Sequence, residues 1–147
     1  MRAELYRSIA AALKRVGDGA VRHVDLWNRN VEFISQESAW PTPAVFVEFE
    51  PIAWQALVSG IEYRAEARFR LHIVTEWAGS QYPSSPDMEM EPGMAFDLPD
   101  MIHRELAGLE GDGFTDLRLP ESLTNHDHEE IVESVEVYSY VARLGAG

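Results

Sequence analysis

The chain of 147 residues contains no cysteine and only one lysine, Lys14. The lack of cysteine excludes a disulfide framework, a thiol nucleophile and a thiolate metal site, and it suits a reducing compartment. No segment approaches the roughly 18 consecutive apolar residues that a membrane-spanning helix needs. Charged residues from Glu4 to Arg15 interrupt any apolar signal-peptide core near the start. The sequence therefore predicts a protein made in the cytoplasm that does not cross a membrane.

The common sequence motifs of catalysis are also missing. The chain has no Gly-x-Ser-x-Gly elbow, no phosphate-binding glycine loop with lysine and no dinucleotide-binding glycine motif. Carboxylates are abundant, but nothing in their spacing pairs two of them across a cleft, as a glycosidase requires. We therefore predict no catalytic residues, no cofactor and no enzymatic activity.

Basic residues are few, with 12 Lys and Arg against 25 Asp and Glu, for a formal net charge of −13. The charge is uneven, since residues 1–36 carry +2 and residues 77–147 carry −12. An acidic chain repels phosphate backbones, which argues against sequence-specific nucleic-acid binding. The acidic surface either serves solubility or meets the mildly basic N-terminal third of a neighbouring copy.

The hydrophobic pattern predicts two helices and several strands. Leu5, Ile9 and Leu13 give the first helix its apolar stripe, and "GDG" at 17–19 ends it. A second helix is predicted from about Met94 to Leu109, with Pro99 in its first turn. Strands are predicted at 24–27, 45–49, 61–75, 114–119 and 131–143, with a turn at 51–60 and a connection at 120–130.

The clearest pattern is period-two alternation from Ile61 to Thr75, which predicts one long strand with an apolar face and a polar face. Such a strand must be central in its sheet or paired with another subunit, because a bare edge would invite uncontrolled pairing. Its polar face suits an interface, and we expect His72 on it to be an interface or surface residue. The candidate interface residues on this strand are Arg64, Glu66, Arg68 and Arg70.

Residues 77–93 form a long loop rich in proline and serine, and long loops in compact domains tend to be functional or mobile. Its large apolar side chains either bind a partner or fold back onto the core; these further candidate interface residues are Trp77, Tyr82, Met88 and Met90. The order of elements, with a block of strands between two helices, predicts one α+β domain over residues 1–147. We expect a mixed, mostly antiparallel sheet with both helices packed on one face.

The segment "NHDHEE" at 125–130 places His126 and His128 two residues apart. On a strand this spacing would let both imidazoles share a metal ion with a third ligand. However, the segment lies in a predicted turn, and the other histidines show no metal-ligand spacing to it. We therefore assign no metal ligands, and a metal-dependent hydrolase using His126 and His128 stays an alternative.

Several stretches together resemble the phage and prophage tail terminators and the related tail-completion, or neck, proteins. They are an N-terminal amphipathic helix followed by "VDLWN", then "PTPAVFVEFE", "IEYRAEARFRLHIVTE", "FDLPDMIHRELAGLE" and "TNHDHEEIVESVEVYSY". The resemblance covers nearly the whole chain and rests on the order of elements together with these short strings.

The resemblance implies a non-enzymatic virion structural protein that closes into a hexameric ring on the tail tube. Such a ring ends tail growth and provides the surface that joins the tail to the head, with tail-tube and neck proteins as partners. It implies a location in the tail or neck of the virion, after synthesis in the host cytoplasm. A small ligand-binding domain of the same fold class is the remaining alternative.

Overall fold

In a computed structural model, residues 1–17, 19–27, 41–76, 91–125 and 131–145 are described. In chain order the elements are α1 (Arg2–Lys14), β1 (His23–Leu26), β2 (Ala44–Phe49), β3 (Gln55–Leu57), the single turn α2 (Val58–Ile61), β4 (Glu62–Glu76), α3 (Glu91–Leu106), β5 (Phe114–Asn125) and β6 (Ile131–Gly145). The predicted α+β class is confirmed.

The strands form one mixed, six-stranded sheet in the order β1-β2-β4-β6-β5, and β3 pairs with the start of β4. Only β1 and β2 run parallel among the described strand pairs, so the sheet is mostly antiparallel, as predicted. Strand β4 lies between β2 and β6 and pairs with β6 along its whole length, from Glu62 opposite Gly145 to Glu76 opposite Ile131. The predicted long strand is therefore central in its own sheet.

The main core lies against the side of the sheet that carries the odd-numbered residues of β4, which we call the core face. Ala67, Phe69, Leu71 and Ile73 are buried there. The cluster also takes in residues of both long helices and of β2 and β6: Leu5, Ile9, Leu13, Leu98, Ile102, Leu106, Val45, Val47, Tyr138, Tyr140 and Ala142. The apolar residues of each helix are spaced so that they form one stripe along it. Burial of this stripe against the sheet supplies most of the stability of the helix.

The helix boundaries differ from the predicted ones. Helix α3 begins at Glu91 rather than near Met94 or Pro99, and it continues through Pro99 at the cost of one helical hydrogen bond. It ends at Leu106, because Gly108 has a φ of +77° and turns the chain before "GDG" is reached. Gly17, with a φ of +54°, plays the same part after α1.

Two strand predictions need correction. Strand β5 continues to Asn125 rather than ending at Leu119, so residues 120–125 are strand and not connection. Pro120 is tolerated because β5 is an edge strand with register shifts between Thr115 and Glu121, where a missing N–H costs little. Strand β3 lies inside the predicted turn at 51–60; its three exposed residues are too few to show alternation.

The side of the sheet opposite the core face carries the even-numbered residues of β4, and we call it the outer face. Glu66 and Arg68 are exposed there, as the alternation predicts. Further along the strand the alternation ends, because His72 and Val74 are buried as well. Ala44, Phe46 and Val74 form a small second cluster on this side, with Trp27 packed against it.

Candidate interface and the buried histidine beside it

The outer face brings arginines together from three neighbouring strands. In the register of the sheet, Arg64 of β4 lies directly opposite Arg143 of β6. Four residues along, Arg68 of β4 and Arg118 of β5 lie on either side of Ser139 in β6. Rows four residues apart along a strand are separated by about 13 Å, since each residue adds about 3.3 Å. The four side chains, which we call the arginine quartet, therefore surround a patch of the sheet with Glu66 in the row between them.

The arginine quartet has no carboxylate partners within the described part of the chain. None of its four members forms a salt bridge there, whereas their neighbour Arg70 contacts Glu50 with its Nε atom 2.9 Å from Oε1. Placing Arg64 and Arg143 directly opposite each other is unfavourable, since like charges in a cross-strand pair repel. Arg68, Arg118 and Arg143 are exposed, and Arg64 is partly exposed.

A recess of about 400 Å³ lies at this surface. Arg64, Arg118 and Ser139 line it, and the carboxylates of Glu66 and Asp116 lie among them. Glu66 occupies the row between the two arginine rows, opposite Val141. The lining therefore combines two arginines with two carboxylates and carries no net formal charge.

Four of the predicted interface residues, Arg64, Glu66, Arg68 and Arg70, lie together on the outer face. Arg118 and Arg143 were not predicted from the sequence. Only the strand pairing shows that Arg143 faces Arg64. The other four predicted residues, Trp77, Tyr82, Met88 and Met90, lie outside the described residues.

His72 lies at the buried end of the outer face and is held by two carboxylates. Its Nδ1 atom is 2.7 Å from Oε2 of Glu133, and its Nε2 atom is 2.7 Å from Oε1 of Glu48. The indole of Trp27 stacks on the imidazole with the ring centroids 3.7 Å apart and nearly parallel. Only 6% of His72 and 4% of Glu133 are exposed, so the expectation of a surface histidine is wrong.

The burial has a physical reason that the sequence pattern does not show. Each ring nitrogen of His72 lies 2.7 Å from a carboxylate oxygen, so both nitrogens have a hydrogen-bond partner. Polar groups that are hydrogen-bonded to one another tolerate burial that an unpaired polar group would not. The two carboxylates meet opposite edges of the ring and therefore cannot share one metal ion with it.

No group of three or more His, Asp or Glu residues could hold a metal ion within 1–17, 19–27, 41–76, 91–125 and 131–145. His126 and His128 lie outside these ranges. Within the same part of the chain, no helix is long and apolar enough to cross a membrane.

A second buried carboxyl lies on the core face. Burial raises the pKa of Glu136 above its usual value, and the carboxylate of Asp100 on α3 adds to the rise. The hydroxyl of Ser122, which donates a hydrogen bond to Glu136, and the nearby His103 oppose it. His103 also contacts the hydroxyl of Tyr138, with its Nδ1 atom 3.2 Å from that oxygen. This polar row ties α3 to β6 and β5.

Compared with known proteins, the chain matches no protein-family model and no curated protein sequence at a significant level.

Proposed function

We propose that the protein is a non-enzymatic structural protein of a phage or prophage that forms a ring at the end of the tail tube. The ring would end tube growth and offer the surface to which the head joins. The order of elements supports the proposal: an amphipathic helix, a block of strands centred on β4, a second helix and two further strands. This is the order on which the resemblance to tail terminators and neck proteins rests.

We further propose that α1 and α3 lie on one face of the sheet. Their buried residues belong to a single cluster with the core face, which supports this arrangement. The outer face would then be left to make contacts with other molecules around Arg64 and Arg68.

The observation that carries the proposal is the arginine quartet on the outer face. The sheet places basic residues of three strands together, and they have no carboxylate partners among the described residues. Binding of a second molecule that supplies carboxylates would therefore stabilise this surface. Subunits of a ring supply such partners to one another. A hexamer would have a mass of about 100 kDa, six times the 16.6 kDa of one chain.

The net charge of −13 is compatible with a passage for DNA. A basic channel would hold the phosphate backbone, whereas an acidic or neutral one would let it slide. The proposal therefore places the protein in the tail or neck of the virion, in contact with tail-tube and neck proteins.

Deletion of the gene from the phage or prophage that encodes the protein tests this function. We expect tails of abnormal length, or tails that do not join heads, in electron micrographs of the particles. Expression of the intact protein from a plasmid should restore normal particles. Normal, infectious particles in the deletion strain would contradict the proposal.

A further inference from the structure

We infer that the arginine quartet binds the acidic outer side of α3 in a second copy of the chain. The contact is head to tail, with the outer face of one subunit against the helical side of the next. This inference rests on the proposed ring and names the surfaces that hold its subunits together.

The acidic side of α3 is the complementary surface. Asp97 and Asp100 lie one turn apart on the helix and are both exposed. They belong to a segment, residues 87–100, that has five acidic residues and no basic one. Neither aspartate forms a salt bridge within the described part of the chain. Carboxylates and guanidinium groups of this kind pair through charge-assisted hydrogen bonds.

The arginine quartet and the acidic side of α3 cannot form ion pairs with each other within one molecule. The buried side of α3, through Leu98 and Ile102, packs in the cluster on the core face, whereas the arginine quartet lies on the outer face of the same sheet. Two complementary patches on opposite sides of a subunit make a heterologous contact. Repetition of such a contact produces a closed ring when the rotation between subunits allows closure, and a filament when it does not.

A small anion fits the quartet less well than a protein surface does. Glu66 lies between the two arginine rows, and Asp116 lines the same recess, so a free phosphate would meet repulsion at its centre. A protein partner can place carboxylates beside the arginines and leave the centre to a neutral or basic group. Arg104, exposed on α3 one turn beyond Asp100, is available for that position.

Nucleic acid is a weaker match as well. The chain carries a net charge of −13, which repels a phosphate backbone at long range, whereas only local complementarity is needed for a second copy. We therefore expect no binding of duplex DNA by the arginine quartet.

Charge-swapped variants test the inference by sedimentation velocity over a range of concentrations. The first variant is Arg64→Glu with Arg68→Glu, and the second is Asp97→Arg with Asp100→Arg. We expect each variant alone to sediment as the 16.6 kDa monomer where the wild type is assembled, because each now opposes like charges. An equimolar mixture of the two should assemble again, because every contact then joins opposite charges.

The matched control is Arg2→Glu with Arg7→Glu on α1. It changes the net charge by the same amount as the first variant, at exposed positions that belong neither to the arginine quartet nor to the acidic side of α3. We expect it to assemble like the wild type. Circular dichroism should show that all variants keep the folded spectrum.

Three outcomes would overturn the inference. If the first variant keeps the wild-type mass, the arginines are not the contact, and the ring itself still stands. If the mixture fails to assemble, the partner of the arginines is not α3. If the wild type binds a short DNA duplex and the first variant loses only that binding, the quartet is a nucleic-acid site. The particle phenotype of the deletion strain is judged separately, so failure of the contact and failure of the proposed function are distinguishable.

Discussion

His72 lies where the outer face of β4 changes from exposed to buried. It lies on the polar side of β4 in the alternating pattern, yet it is buried between Glu48 and Glu133 and stacked on Trp27. The stability of this cluster depends on all of its members, because a buried carboxylate is costly once a hydrogen-bond partner is removed.

Replacement of His72 by alanine should lower the free energy of unfolding by about 3 kcal/mol, because Glu133 stays buried without its imidazole partner. His72→Phe should lower the free energy of unfolding by about as much, since it keeps a ring against Trp27 but removes both nitrogens.

His103→Ala is the control: it removes one hydrogen bond to Tyr138, with a loss of about 1 kcal/mol. Urea unfolding at neutral pH measures all three, and equal losses for His72→Phe and His103→Ala would contradict this account.

Glu136 should make stability depend on pH. Its pKa is raised in the folded chain, so it contributes stability below its ordinary pKa, and this contribution is lost as the pH rises through the raised value. Glu136→Gln cannot titrate. The variant should therefore be more stable than the wild type at about pH 7.5, with a difference that shrinks toward about pH 4.

Urea midpoints across that pH range measure the effect of Glu136→Gln. Ser122→Ala serves as the second variant, because loss of its hydrogen bond removes an influence that lowers the pKa of Glu136. It should make the total fall in stability larger and extend it to higher pH, because the pKa of Glu136 rises further in the folded chain. Parallel curves for wild type and Glu136→Gln would show that Glu136 does not titrate in this way.

Among the secondary-structure elements, the hairpin of β3 and β4 has a defined turn. Ser59 and Gly60 have φ values of +60° and +70°, which is the geometry of a type I′ turn between the two strands. Glycine adopts this conformation freely, whereas serine does so at some cost. The turn sets the register in which Leu57 faces Glu62, and so the point at which β4 begins.

Ser59→Asn should stabilise the fold by about 0.5 kcal/mol, because asparagine followed by glycine is the preferred pair for this turn. Ser59→Val, at the same exposed position, should destabilise it by about 1 kcal/mol, because a β-branched residue resists positive φ. Thermal unfolding of the two variants beside the wild type gives the comparison. Shifts of the same sign for both would contradict the turn assignment.

Much of the element structure could be predicted from the sequence. Strands β4 and β6 and helix α1 have long, regular patterns, and their predicted positions agree with the structure to within a few residues. Strand β3 is too short to show a period, and β5 contains Pro120, which is a strand breaker except at an edge. Whether a strand lies at an edge depends on the whole sheet and cannot be read from its own residues.

At the scale of the whole molecule, the charge is unevenly distributed along the chain. The outer face holds the arginine quartet, and the chain beyond residue 77 holds most of the acidic excess. Alternation along one strand was enough to group Arg64 and Arg68. Their proximity to Arg118 and Arg143 depends on pairing between strands far apart in sequence, and the contacts of His72 depend on three separate segments.

The proposed function requires that the chain associates with itself into a ring. The most direct measurement is the native mass of the purified wild-type protein over a concentration series, with class-averaged electron images of the largest species. We predict an assembly of about 100 kDa with a central opening, six copies of the 16.6 kDa chain. A single species of 16.6 kDa at every concentration would contradict it.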